Sequence, residues 1–295
     1  MDPLLLITLA AALAAPPPII GGDETAAYPA AAALTATDGR GHIVVCSGVL
    51  VRPRWVLSAA HCIEELDSLG QFLTIQAVFG ESLSGSGELP AIDIDDRFPH
   101  PEWRAGVFDY DVALFHLAER APVDPLPLAA DERSVEWVGA ELQLVGWGDT
   151  DQAGSNDGRK RTVGLEVETQ DGWFLRARDG LGDANLCYGD SGGPALDDSV
   201  DPPAVVGVAA FVFQDDDSGG CVGGGTGVVR ARVFGSWLNA RIDGDPLLGG
   251  APAPRTEAGC AGGTAAGLVL GLGLWGAPRR RRRSPAARRD PHTIR

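Results

Sequence analysis

Short apolar runs separated by clusters of Gly, Pro, Asp and Ser fill the chain from Ile19 to about Ile242. GHIVVCSGVLV, RWVLSAA, FLTIQAVFG, YDVALFHL, ELQLVGWG, WFLRAR, AVVGVAAFVF and TGVVRARV each read as a strand or a strand end. Runs of this length, rich in Val, Ile, Leu and Phe and bounded by turn residues, suit sheets that bury at least one face. Only VFGSWLNARI, Val233 to Ile242, has the spacing of an amphipathic helix, and it falls where the domain should finish. No internal sequence repeat is visible. The pattern predicts one all-β domain.

Composition supports that reading. The chain has 295 residues, 44% of them hydrophobic, with 40 Gly and 21 Pro against 6% aromatic residues. Frequent Gly and Pro disfavour long helices, and an all-β domain of ordinary size accommodates most of this length.

The two ends differ from the middle. LLLITLAAALAA, Leu4 to Ala15, has the length of a signal-peptide apolar region, although Asp2 stands where a basic residue is usual. Residues 1–15 are therefore expected to be a signal peptide, and 16–18, three prolines, a short pro-segment. Residues 244–259 have the Pro, Gly and Ala composition of a linker. Ala261 to Ala277 is uncharged and precedes Arg279 to Arg283, so 260–283 is expected to be a sorting or membrane-anchor signal and 284–295 a basic tail.

Net charge is −16 although eight arginines crowd the last seventeen positions, so the preceding domain is strongly acidic. That balance argues against nucleic acid as a partner and favours some attraction to cationic substrates. Of five cysteines, Cys46 and Cys62 flank one motif and Cys187 and Cys221 another, which reads as two bridges, Cys46–Cys62 and Cys187–Cys221, with Cys260 left over. Two such pairs fit an oxidising compartment. No CxxC or HExxH spacing indicates a metal. Gly80 to Pro90 is too poor in carboxylates for a calcium loop, and Asp215 to Asp217 reads as a solvated face. No cofactor or metal is expected.

Hydrolysis of an amide by serine needs a base for the hydroxyl proton, an anion to orient that base, and donors for the oxyanion. Ser191 lies in GDSGGP, where glycines let the backbone turn tightly and present N–H groups. His61 lies in LSAAHC beside Cys62, and Asp111 lies in DYDVALFHL at the head of an apolar run. Asp109 is the local rival to Asp111. His42, His100 and His116 need no catalytic role, and His100 in FPHPEW reads as a surface turn.

IIGG, LSAAHC, DVAL, GWG and GDSGGP, in this order, resemble the chymotrypsin/trypsin family of serine proteases over about three quarters of the chain. The resemblance implies two six-stranded antiparallel Greek-key barrels with a short C-terminal helix across residues 19–243. It implies His61 as general base and then general acid, Asp111 as its orienting anion, and Ser191 as nucleophile. The N–H groups of Gly189 and Ser191 would form the oxyanion hole, and Asp190 would receive the ammonium of Ile19 after activation. Pro16 to Pro18 precede Ile19 where the family carries Arg or Lys, so a different peptidase is expected to trim this site. Asn185 takes the place of the pocket aspartate of trypsins, and Ala210, Phe211, Val212 and Gly227 are expected to line the pocket.

These features predict an exported, surface-directed serine endopeptidase acting on protein or peptide substrates as a monomer, with cleavage after small or medium uncharged residues. The tail, with its lone Cys260, resembles MYXO-CTERM sorting signals, which implies engagement with a membrane and a sorting protease. The alternative is a catalytically idle homologue serving as a surface binding module, suggested by the proline-rich activation site and by Ala210 where the family carries Ser.

Overall fold

A computed structural model describes residues 19–70, 73–84, 90–129, 136–180, 184–214 and 220–242. The expected signal peptide, pro-segment, linker, Cys260 and basic tail lie outside these residues, as does the acidic run Asp215 to Asp217.

Thirteen strands are present among the described residues. The first seven are β1 (Asp23–Glu24), β2 (Ala31–Thr37), β3 (His42–Arg52), β4 (Trp55–Ser58), β5 (Thr74–Phe79), β6 (Ala91–Pro99) and β7 (Ala113–Leu117). The others are β8 (Glu141–Gly146), β9 (Arg161–Gln170), β10 (Phe174–Arg178), β11 (Pro194–Asp197), β12 (Ala204–Phe213) and β13 (Gly225–Arg230). Helix α1 (His61–Ser68) follows β4, and a 3-10 turn at Ala231–Phe234 leads into α2 (Gly235–Arg241).

Strands β2 to β7 close into a barrel in the order β2-β3-β4-β7-β6-β5. Strands β8 to β13 repeat that order as β8-β9-β10-β13-β12-β11, closed where β8 pairs with both β9 and β11, and β1 adds to β9. The expected pair of six-stranded antiparallel barrels is what the chain forms. The two halves share a topology that no sequence repeat announces.

Each barrel fills with the inward members of its alternating strands. Leu34, Leu50, Val56, Ala77, Phe79 and Phe115, which share one face by strand register, are fully buried in the first. Leu142, Leu144, Leu165, Val167, Leu175, Val206 and Val228 fill the second, where Ile19 joins them. Apart from Ala77, each of these side chains contributes about 1.5–3 kcal/mol by leaving water. Strand β2 differs, because Ala31 to Leu34 are buried on both faces and the strand also approaches β8 of the other barrel. Its small side chains let the two halves come close.

Two local features depart from the sequence reading. VLSAAHC was expected as strand and loop, yet His61 opens α1, whose Cys62 and Leu66, one turn apart, pack inward. The expected helix from Val233 to Ile242 is divided between the 3-10 turn and α2, with Gly235 at the junction.

Candidate active site

His61 and Asp111 come together at the end of the first barrel. His61 Nδ1 lies 2.7 Å from Asp111 Oδ2, and the His61 backbone N–H donates to Asp111 Oδ1 at 2.9 Å. Asp111 is only 1% exposed, so its two oxygens are committed to one residue in a site sheltered from water. Burial pushes the His61 imidazole down, but the hydrogen bond and charge of Asp111, aided by Glu65 and Glu64, outweigh it and the net shift is upward. Glu65, four residues along α1, is itself raised by burial and by Asp111, against the opposing pull of His61. Asp109 makes none of these contacts.

The backbone that aims Asp111 is strained. Tyr110 has φ of +62°, an uncommon conformation for a bulky side chain. Its ring stacks on His100 at 5.0 Å and meets Trp173 at 4.9 Å, and His100 in turn touches Phe234 and Trp237. His100 is thus part of an aromatic cluster behind Asp111, rather than the surface turn its sequence context implied.

Ser191 enters from the second barrel. Its loop docks on β3 and on the end of β4 that leads to His61: Ser191 O accepts the Ser47 N–H at 2.8 Å, and Gly192 lies against Ser58 Oγ and the backbone of Ala59. Disulfide Cys46–Cys62 ties the neighbouring residues, and Cys187–Cys221 ties the far side of the serine loop. Gly189 has φ of +90°, which glycine accepts without a Cβ penalty. Among the described residues neither the Gly189 nor the Ser191 N–H has an acceptor, so both remain available.

Asp190 is fully buried. Its Oδ1 accepts the Gly148 N–H at 2.7 Å and its Oδ2 the Cys187 N–H at 2.9 Å. A Cβ at Gly146 or Gly148 would enter the space its carboxylate fills, which explains the glycines of the GWG motif. Burial pushes the Asp190 carboxyl up to about 7, and the two backbone donors only partly offset this. Ile19 is buried beside this region, and the Ile20 carbonyl accepts the Asn185 N–H at 2.8 Å.

Asn185, the residue expected at the base of the substrate pocket, is buried with both ends of its amide engaged. Asn185 Oδ1 accepts the Thr226 hydroxyl at 2.6 Å, and Nδ2 donates to Cys221 O at 3.1 Å. The pairing of β12 with β13 shifts register between Ala209 and Phe211, which sets Phe211 across from Gly227 and Val212 across from Thr226. Thr226, which sequence reasoning passed over, therefore shares with Val212 the face expected to line the pocket. Gly227 lies on the other face under the Phe211 ring, which also contacts Phe108 at 4.4 Å and Phe174 at 5.4 Å. Ala210 sits buried in the bulge.

The one potential metal-donor group among the described residues is Cys46, His61 and Cys62, and both its sulfurs are consumed in a disulfide. It offers no thiolate to an ion.

Two Greek-key barrels with a histidine and a buried aspartate on one and the GDSGGP loop on the other define the trypsin-like class of serine proteases. The sequence profile of the Trypsin family matches residues 19–234. A trypsin of Phaedon cochleariae is 32% identical over 193 residues, 58% of this chain and 70% of the relative. The serine protease SP24D of Anopheles gambiae is 30% identical over 217 residues, 69% of this chain and 74% of the relative. A structure of a mutant human heparin binding protein superposes with a TM-score of 0.63 at 21% identity, covering 80% of this chain and 99% of that one, which supports the fold. The chain belongs to the trypsin family.

Proposed function

We propose that the chain is a serine endopeptidase that cleaves peptide bonds through an acyl-enzyme. The observation that carries this reading is the 2.7 Å contact between His61 Nδ1 and a buried Asp111 beside the loop of Ser191. With Nδ1 engaged by Asp111, the free Nε2 is the nitrogen that takes the Ser191 proton as Oγ attacks the scissile carbonyl. His61 becomes an imidazolium, which Asp111 stabilises without itself taking the proton. The imidazolium then protonates the leaving amine, and the same base activates water to release the acyl group. The unpartnered N–H groups of Gly189 and Ser191 receive the oxyanion. These roles are the established scheme of the family, carried onto this chain's residues.

The pocket supports a preference for small or medium uncharged side chains. Asn185 supplies no fixed anion for Arg or Lys, and Val212 and Thr226 face one another and narrow the opening. Trimming of the prolines to free Ile19 is the proposed activation, with Asp190 receiving the new ammonium. The apolar leader and the tail around Cys260 support export and retention at the cell surface by membrane contact and a sorting protease, acting as a monomer.

Labelling with a biotinylated fluorophosphonate tests the chemistry. Protein processed to begin at Ile19 is expected to take one label, which Ser191→Ala abolishes. Processed protein that stays unlabelled refutes the proposal.

A further inference from the structure

We infer that the hydroxyl of Ser47 is a positioning group for the oxyanion hole, an inference that rests on the protease reading above. Ser47 is fully buried in β3, in the first barrel, yet its hydroxyl and its amide N–H bond to residues of the second. Its Oγ donates to Gly189 O at 2.9 Å and accepts the Trp147 N–H at 3.2 Å, while its own N–H donates to Ser191 O at 2.8 Å. One side chain and one amide thus hold the carbonyls of both residues whose N–H groups face the oxyanion.

The need for such a clamp follows from Gly189. Glycine has no Cβ to resist rotation, so the peptide planes on either side can turn over cheaply. The plane before Gly189 is fixed because Tyr188 O accepts the Asp149 N–H at 2.7 Å, and a trans peptide then points the Gly189 N–H the opposite way. The plane after it is held at both ends, by the Asp190 N–H donating to Cys187 O at 3.1 Å and by the Ser47 hydroxyl donating to Gly189 O. Without the Ser47 donor, Gly189 keeps its identity and its space but loses one of the two restraints on the plane that follows its φ of +90°. The same oxygen atom of Ser47 satisfies the buried Trp147 N–H, so the clamp is anchored to the rigid end of β8 rather than to a mobile side chain.

The test compares full-length, processed protein with Ser47→Ala, which removes the hydroxyl and adds no volume. Rates are expressed per active site titrated with fluorophosphonate. A lost oxyanion donor costs a hundredfold or more, so loosening one donor is expected to lower kcat about tenfold with KM within about twofold. Affinity for a tetrahedral peptide boronate should weaken in the same proportion as kcat. An unchanged kcat and boronate affinity, with or without a lower melting temperature, overturns the inference and leaves Ser47 a packing residue.

Failure of the protease reading is separable, because then the unsubstituted protein takes no fluorophosphonate. In that case the Gly189 amide is followed by NMR in Ser191→Ala protein with and without Ser47→Ala. Exchange broadening of the Gly189 resonance on loss of the hydroxyl supports the clamp, and an unaltered resonance overturns it.

Discussion

Asp190 gives the unprocessed chain a measurable dependence on pH. Its carboxyl ionises near 7 in the folded chain against 3.8 for an ordinary aspartate, because burial raises it, with Asp149 adding repulsion, and two backbone donors and the charge of Arg161 only partly offset this. Below pH 3.8 both folded and unfolded chains hold this proton and the residue contributes nothing. Between 3.8 and about 7 the folded chain keeps the proton while the unfolded chain releases it, so stability falls as pH rises. The loss levels off above about 7 at roughly 4 kcal/mol, from 1.4 kcal/mol per pH interval of one.

The assay is urea unfolding of Ser191→Ala protein that retains the residues before Ile19, with and without Asp190→Asn, from about pH 4 to pH 8. Asparagine preserves the volume and one acceptor, so the difference between the two curves isolates the ionisation. That difference is expected to shift by roughly 4 kcal/mol in favour of Asp190→Asn across the window. A flat difference refutes the argument that burial raises the Asp190 carboxyl before processing. In protein beginning at Ile19 the paired ammonium should hold the carboxyl down and abolish the slope.

Other perturbations test separate parts of the site. Asp111→Asn leaves His61 without its anion, and steady-state assay should show the loss of about 10⁴ in kcat known for this family's triad, with little change in KM. Glu65→Gln removes one of the charges that raise His61, so the acid limb of the kcat/KM profile should move to lower pH. Combined Val212→Gly and Thr226→Gly should open the pocket, and a peptide library should report larger P1 side chains. Lys160 lies buried over the Trp147 ring, and burial pushes its ammonium down to about 8. The unfolded chain binds this proton more tightly, so between pH 8 and 10.5 Lys160 makes stability rise with pH, and Lys160→Met should remove that rise in unfolding measurements.

The residues proposed to make the chemistry were easier to read than those proposed to select a substrate. His61, Asp111 and Ser191 lie in compact motifs whose spacing survives in one sequence, and runs rich in Val and Leu identified β3, β4, β8 and β12. Strand β2 escaped because AAALTAT carries little β propensity and owes its place to close packing between the barrels. Strand β6 escaped because its Asp residues face water along IDIDD and Pro99 ends it. Helix α1 is only two turns long, too short for periodicity to declare itself. Thr226 was missed for a different reason. The bulge between Ala209 and Phe211 changes by one residue which member of β13 lies opposite Val212, and a one-residue slip exchanges the two faces of a strand.

The division of the site between two barrels of the same strand order has a mechanical consequence. His61 and Asp111 move with one half and Ser191 with the other, so on the proposed reading neither half holds the whole centre and a substrate would lie across the seam. A small hinge at that seam would silence the chemistry while leaving both cores packed. Activity therefore reports on the docking of the halves more sensitively than any probe of either core, and an inhibitor that grips both sides acts as a brace against their separation.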